Sequence, residues 1–191
     1  MRVIGINGSA RKNGNTAIII GTVFDVLNKE GIDTELIQLA DYDITPCRGC
    51  FACKGHGNCM FNTDGFAEIF SRLIEADGII LGSPVYSADV SAKMKAFLER
   101  GGVVVATNSG LLRYKVGASV ASVRRGGGMT TVDTMNHFML NKEMIVVGST
   151  YWNMVYGKSI GEVMNDYEGM ANMRNLGENM AWTLKSIHPV R

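Results

Sequence analysis

Four cysteines stand within thirteen residues, Cys47-Arg-Gly-Cys50-Phe-Ala-Cys53-Lys-Gly-His-Gly-Asn-Cys59, and the chain has no others. Three thiolates at three-residue intervals wrap three corners of a compact inorganic cluster, and a glycine-rich turn brings a fourth to the remaining corner. Gly49, Gly55 and Gly57 suit that turn, because they adopt positive φ and let backbone N–H groups approach sulfide. With no cysteine left over for a second centre, all four serve one, and a [4Fe–4S] cluster is the expectation. Zinc is the competing reading, with His56 able to replace one thiolate, although structural zinc sites usually split their ligands into two distant pairs. Disulfides are disfavoured by strain at this spacing, and four idle thiols by their density.

A second stretch, Gly8-Ser9-Ala10-Arg11-Lys12-Asn13-Gly14-Asn15-Thr16, joins a β-branched run (2–6) to a helical stripe. A helix N-terminus offers free N–H groups and a positive dipole end; Ser9, Asn15 and Thr16 add neutral donors and Arg11 a charge. The loop reads as a phosphate site, against the plainer reading of a polar turn with a cap. It is not a Walker A loop, since Gly14-Asn15-Thr16 lacks the lysine, and Gly5 and Gly8 do not complete G-x-G-x-x-G. Nucleotide hydrolysis and Rossmann-type dinucleotide binding are disfavoured.

The elements that must position these residues follow from periodicity. Short apolar strands are expected at 2–6, 34–39, 78–81, 116–123 and 144–147, alternating with helices at 15–29, 66–75, 91–99, 130–140 and 168–187. That alternation implies a doubly wound parallel sheet covered on both sides. Ligands in such sheets bind outside the carboxyl ends of the strands. Gly82-Ser83-Pro84-Val85-Tyr86 and Ser122-Val-Arg124-Arg-Gly126-Gly127-Gly128 should then surround one ligand together with the phosphate loop. Tyr86 offers an aromatic face and the glycines offer N–H donors, suiting a phosphate at one end and a flat heterocycle at the other. Two stretches stand outside this scheme: 40–63, which holds every cysteine, and 149–166, which carries Tyr151, Trp152 and Tyr156.

Composition narrows the class further. The 191 residues suffice for one domain over 1–191, with the cysteine loop at 40–63 and an aromatic segment and helix at 149–188. Nineteen Lys+Arg against eighteen Asp+Glu leave +1, which gives no attraction to nucleic acid or anionic membrane. No apolar run is long enough to span a membrane, and the N-terminus has no room for a signal peptide, so a cytoplasmic location is expected. The twelve Met read as core filler. His137 and His188 read as surface or packing residues.

Ile4-Gly-Ile-Asn-Gly-Ser-Ala-Arg11, Gly14-Asn-Thr16, the Cys47 to Cys59 run, Gly82-Ser-Pro-Val-Tyr86 and Arg124-Arg-Gly-Gly-Gly128 together resemble the flavodoxin-like NAD(P)H-dependent FMN reductases, and within them the iron–sulfur flavoproteins. The resemblance implies a five-stranded sheet of order 2-1-3-4-5 with the cysteine loop after strand 2, one FMN per subunit, and a [4Fe–4S] cluster passing electrons to it. It places the flavin phosphate on Ser9, Arg11, Asn15 and Thr16, and the ring on Ser83, Pro84, Val85, Tyr86, Arg124, Gly126 and Gly127. It also implies homodimers or homotetramers, with ferredoxin or NAD(P)H as electron donor and a small molecule or protein as acceptor. The cofactors carry such chemistry, so no catalytic acid or base is assigned. Other readings stay open: an NAD(P)H-dependent FMN or quinone reductase whose cysteine loop is structural, or a zinc-stabilised non-catalytic binding module.

Overall fold

The computed structural model describes residues 1–187, so His188 lies outside the described residues. Strands β1 (Arg2–Asn7), β2 (Asp33–Gln38), β3 (Gly78–Pro84), β4 (Val116–Val123) and β5 (Ile145–Val146) form a parallel sheet in the order β2-β1-β3-β4-β5, the order the resemblance implied. β3 and β4 are buried along their whole length, which is why their sequences are apolar or small throughout, with Ser83, Ser119 and Ser122 as the polar positions; β2, at the edge, has exposed positions.

Side chains alternate across the sheet and divide the core in two. Ile4, Ile6, Ile79 and Leu81 face helices α2 (Phe66–Glu75), α3 (Ala92–Ala106) and α4 (Gly128–Leu140). Val3, Ile80, Ala118 and Val120 face α1 (Asn15–Lys29) and α5 (Tyr167–Ile187). Met170, Met173 and Met180 of α5 lie in this second core at 4%, 0% and 0% exposure, as filler. The α1–α5 contact is close because Gly177 has no side chain: a Cβ there would stand 2.7 Å from Val26 Cβ.

Two elements depart from expectation. The fifth strand is only Ile145–Val146, paired with Val116 and Gly117, and a sixth, β6 (Met154–Tyr156), takes over beside Ala121, Ser122 and Val123. Among the described residues the sheet therefore has six strands, and the sixth is too short for any periodicity to betray. The third helix continues past Glu99 to Ala106. Gly101-Gly102 and the β-branched Val103-Val104-Val105 argue against helix locally, but Val104 and Val105 gain burial by continuing it, and Gly101 lets Phe70 come within 3.2 Å of a Cβ position. The stretch 42–63 contains no helix or strand, as expected, and it packs Ile44 and Cys53 into the first core.

Candidate functional site

The extra turns of α3 position the cysteine loop. Asn108, just beyond the helix, donates from Nδ2 to the Cys53 carbonyl (2.9 Å) and accepts from the Gly57 amide (3.0 Å). Thr107 Oγ1 lies 3.3 Å from Cys53 Sγ, and Lys93 Nζ donates to the Tyr42 carbonyl at 2.5 Å. Gly49, Gly55 and Gly57 all adopt positive φ, as expected, and so does Phe51. Cys53 is buried, Cys47 and Cys59 are half-buried, and Cys50 is exposed. All four line one cavity of about 30 Å³, floored by Val103 and Val104 of α3.

Sequence reading missed Arg100. It is only 2% exposed, an unusual depth for a charged residue. Its Nε donates to Cys59 Sγ (3.1 Å), Nη1 to Asp64 Oδ2 (2.5 Å), and Nη2 to the Phe61 carbonyl. The visible signal was a cation on an apolar stripe: Met94, Phe97, Gly101 and Val104 are all buried around it.

Burial pushes the Asp64 carboxyl up. The Thr45 N–H, the Arg100 guanidinium, the Thr45 hydroxyl and the Phe66 N–H together outweigh that and hold it below its ordinary value. A carboxylate lowered in the folded state stabilises it above the unfolded value, and that stability is lost as pH falls through the native one. We therefore expect the melting temperature of the metal-free protein to fall on acidification below about pH 4, and the slope to flatten in Asp64→Asn. Equal slopes would show that the carboxyl contributes nothing.

The phosphate loop is built differently from its sequence reading. Ser9, buried, accepts the Arg11 N–H on its Oγ (3.0 Å). Asn15 donates to the carbonyls of Gly157 (3.2 Å) and Ser159 (2.9 Å) and accepts from the Gly161 N–H (2.8 Å). Thr16, 1% exposed, shares a hydrogen bond with Ser122 Oγ at 2.8 Å; one of those two hydroxyls keeps a proton to donate elsewhere. The side chains of Ser9 and Asn15 thus shape the loop and tie it to the segment after β6. The free donors are backbone: α1 has no capping side chain and no acidic residue in its first turn, and among the described residues nothing accepts from the amides of Asn15, Thr16 and Ala17. The Gly14 Cβ position is 3.0 Å from Arg11 Cβ, so a side chain there crowds the loop, while Arg11 itself is exposed beside it. An uncapped helix end with a nearby guanidinium fits a phosphate.

The loops after β3 and β4 meet, as expected. Val85 donates its N–H to the Ser122 carbonyl (3.1 Å), and Gly127, at φ +83°, would place a Cβ 2.8 Å from Val85 Cγ1. Ser83 is fully buried; its hydroxyl donates to the Pro84 carbonyl and accepts the Ser91 N–H, so it holds the start of α3 to β3. Pro84 is buried and Val85 half-buried. Tyr86, 44% exposed, sits at one end of a tight turn whose central residues, Ser87 and Ala88, both have positive φ. Arg124 and Gly126 are exposed. Gly126, Gly127 and Gly128 border a cleft of about 370 Å³ whose far wall is Tyr151, Trp152 and Tyr156, which gives the 149–166 segment its place. His137 is on the surface of α4.

The sequence model described as NADPH-dependent FMN reductase matches residues 1–158. An iron-sulfur flavoprotein of Methanocaldococcus jannaschii is 42% identical over 98% of this chain and 99% of its own. One from Methanosarcina thermophila is 33% identical over 84% of this chain and 87% of its own. Among solved structures, RosB superposes with a TM-score of 0.80 at 16% identity, covering 98% of this chain and 80% of the other. A flavodoxin from the domain Archaea gives 0.65 at 17%, covering 97% and 99%. The two structures show the shared fold.

Proposed function

Because the chain belongs to the NADPH-dependent FMN reductase family, among its iron–sulfur flavoproteins, and is thereby a flavin-dependent oxidoreductase, we propose that it moves electrons between a [4Fe–4S] cluster and FMN. The observation that carries this reading is the convergence of Cys47, Cys50, Cys53 and Cys59 on one cavity, with N–H groups of Gly49 and Arg100 directed at two of the sulfurs. Among the described residues no three His, Cys, Asp or Glu side chains stand close enough together to hold a metal ion as they are placed. The donor set nevertheless fits the cluster: four thiols, a left-handed glycine turn, and N–H donors to sulfur.

FMN would sit at the carboxyl edge of the same sheet. The amides of Asn15, Thr16 and Ala17, with Arg11, would hold its phosphate. Val85, Tyr86 and the glycines after β4 would hold its ring. Ser83 and Pro84 would shape that site from within the fold, and Arg124 would border it. The flavin supplies one- and two-electron chemistry and the cluster one-electron exchange; the protein's task is to bind, orient and exclude water. Tyr151, Trp152 and Tyr156 are 64%, 54% and 47% exposed, and this aromatic surface supports assembly into a homo-oligomer, dimer or tetramer, of one-domain subunits.

Ferredoxin or NAD(P)H would be the electron donor, and a small molecule or protein the acceptor. A second reading, reduction of FMN or a quinone by NAD(P)H with a structural cysteine loop, draws support from the clamps of Arg100, Asp64 and Asn108, which tie the loop without a metal. Anaerobic stopped-flow mixing separates the two. Flavin bleaching by reduced ferredoxin, lost in a cysteine variant, is the expected result. Bleaching by NAD(P)H alone, at equal rates with and without the cysteines, overturns it in favour of the second reading. Family membership sets aside a non-catalytic binding module.

A further inference from the structure

We propose that Arg100 and Asp64 are an electrostatic pair that sets the reduction potential of the cysteine-held cluster, with Arg100 the positioning residue at the Cys59 corner. The inference rests on the reading that the four cysteines hold a cluster.

Arg100 approaches the loop from outside it, forty-one residues away along the chain, and reaches Cys59 Sγ with Nε at 3.1 Å. A guanidinium does not lose its proton in a protein, so the charge at this corner is permanent. It is also buried: side-chain exposures are 3% for Arg100 and 6% for Asp64. Water therefore screens it weakly. The group cannot swing away, because Nη1 is held by Asp64 and the Thr45 carbonyl, Nη2 by the Phe61 carbonyl, and the guanidinium carbon lies 4.4 Å from the centre of the Phe66 ring. A loop that needed only a structural tie has a less costly one in Asn108, which is neutral and binds the loop backbone twice. Burying a cation against a thiol has a further consequence. Reduction adds one electron to the cluster and so one negative charge beside Cys59. A fixed cation with an N–H bond to that sulfur favours the reduced form, and Asp64, behind the guanidinium, opposes it in part.

The two charges therefore predict shifts of opposite sign. Arg100→Gln lowers the midpoint potential, Asp64→Asn raises it, and Arg100→Lys, which keeps the charge, stays nearer the wild type than Arg100→Gln. The full-length protein is purified without oxygen, assayed for iron and acid-labile sulfide, and titrated at an electrode while the cluster is followed by electron paramagnetic resonance. Arg100→Gln leaves Asp64 buried without its partner, so the double variant Arg100→Gln/Asp64→Asn, neutral at both places, guards against simple misfolding. Its potential is expected between those of the single variants. Shifts in the same direction, or no shift with the cluster retained, overturn the inference while the cluster stands. Loss of cluster from all variants, the double included, shows a purely structural role and also overturns it. Wild-type protein without sulfide overturns the cluster reading, and the inference falls with it.

Discussion

Cys50→Ala protein purified without oxygen is expected to contain neither iron nor acid-labile sulfide, while binding FMN as the wild type does. The expectation is total loss because no other cysteine exists to replace the missing ligand, and four thiolates hold such a cluster. Cys50 is the informative position. It is exposed, so truncating it removes little packing, whereas Cys53, 6% exposed within the first core, would confound ligand loss with a cavity. The FMN arm is a control on folding: among the described residues the exposed Lys12–Asp41 ion pair is the only hydrogen bond or ion pair between the phosphate loop and the cysteine loop, and Cys50→Ala leaves it in place, so flavin affinity should change by less than about twofold. Wild-type protein that carries zinc and no sulfide would replace the cluster with a structural metal and leave the reductase reading.

The second large effect is expected from Gly14→Asp. Gly14 is the N-cap of α1 and has extended backbone, φ −83° and ψ −178°, which any residue adopts. An Asp carboxylate there can accept from the first-turn amides proposed to hold the phosphate, supplying the cap that the helix lacks. It also sets a negative charge where the proposed phosphate dianion would sit. At about 4 Å and an effective dielectric near 20, that repulsion is about 4 kcal/mol per unit charge, so FMN affinity should fall at least about a hundredfold. Riboflavin, which has no phosphate, should lose only a few-fold. A cap typically adds about 1 kcal/mol; crowding against Arg11, 3.0 Å from the new Cβ, offsets part of it, so thermal stability should hold or rise slightly. Equal losses for FMN and riboflavin would place the phosphate elsewhere. Protein that unfolds would instead implicate the crowding, and Gly14→Ala, with the same Cβ and no charge, isolates that contribution.

The same loop shows how far side-chain type alone can be read. Ser9, Asn15 and Thr16 are donors placed before a helix, and sequence reading aims them at a ligand. In the fold Ser9 receives a local amide, Thr16 meets Ser122, and Asn15 is consumed by carbonyls and an amide at 157, 159 and 161. A hydroxyl or amide has the same bonding capacity whichever partner takes it. Only the arrival of a segment about 140 residues later decides whether the ligand or the fold is served. Likewise Ser83, in a motif that points to the flavin ring, spends its hydroxyl on the start of α3.

Local chemistry was legible where it depends on neighbours in the chain. The cysteine spacing, the glycines that turn left-handed between them, the buried strands at 78–81 and 116–123, and the helices at 15–29 and 66–75 all follow from interactions within a few residues or from plain burial patterns. The tertiary structure decided the rest. The helix beginning at Ala92 runs on through two glycines and three valines because the core rewards it, and only that extension carries Arg100 beneath Cys59 and Asn108 beneath Cys53. The fifth place in the sheet is filled by two short strands because residues 147–153 leave it to wall a cleft beside the glycines after β4. Spacing along a chain specifies which groups can act together when they meet; long-range packing, which no local pattern encodes, selects which of them do.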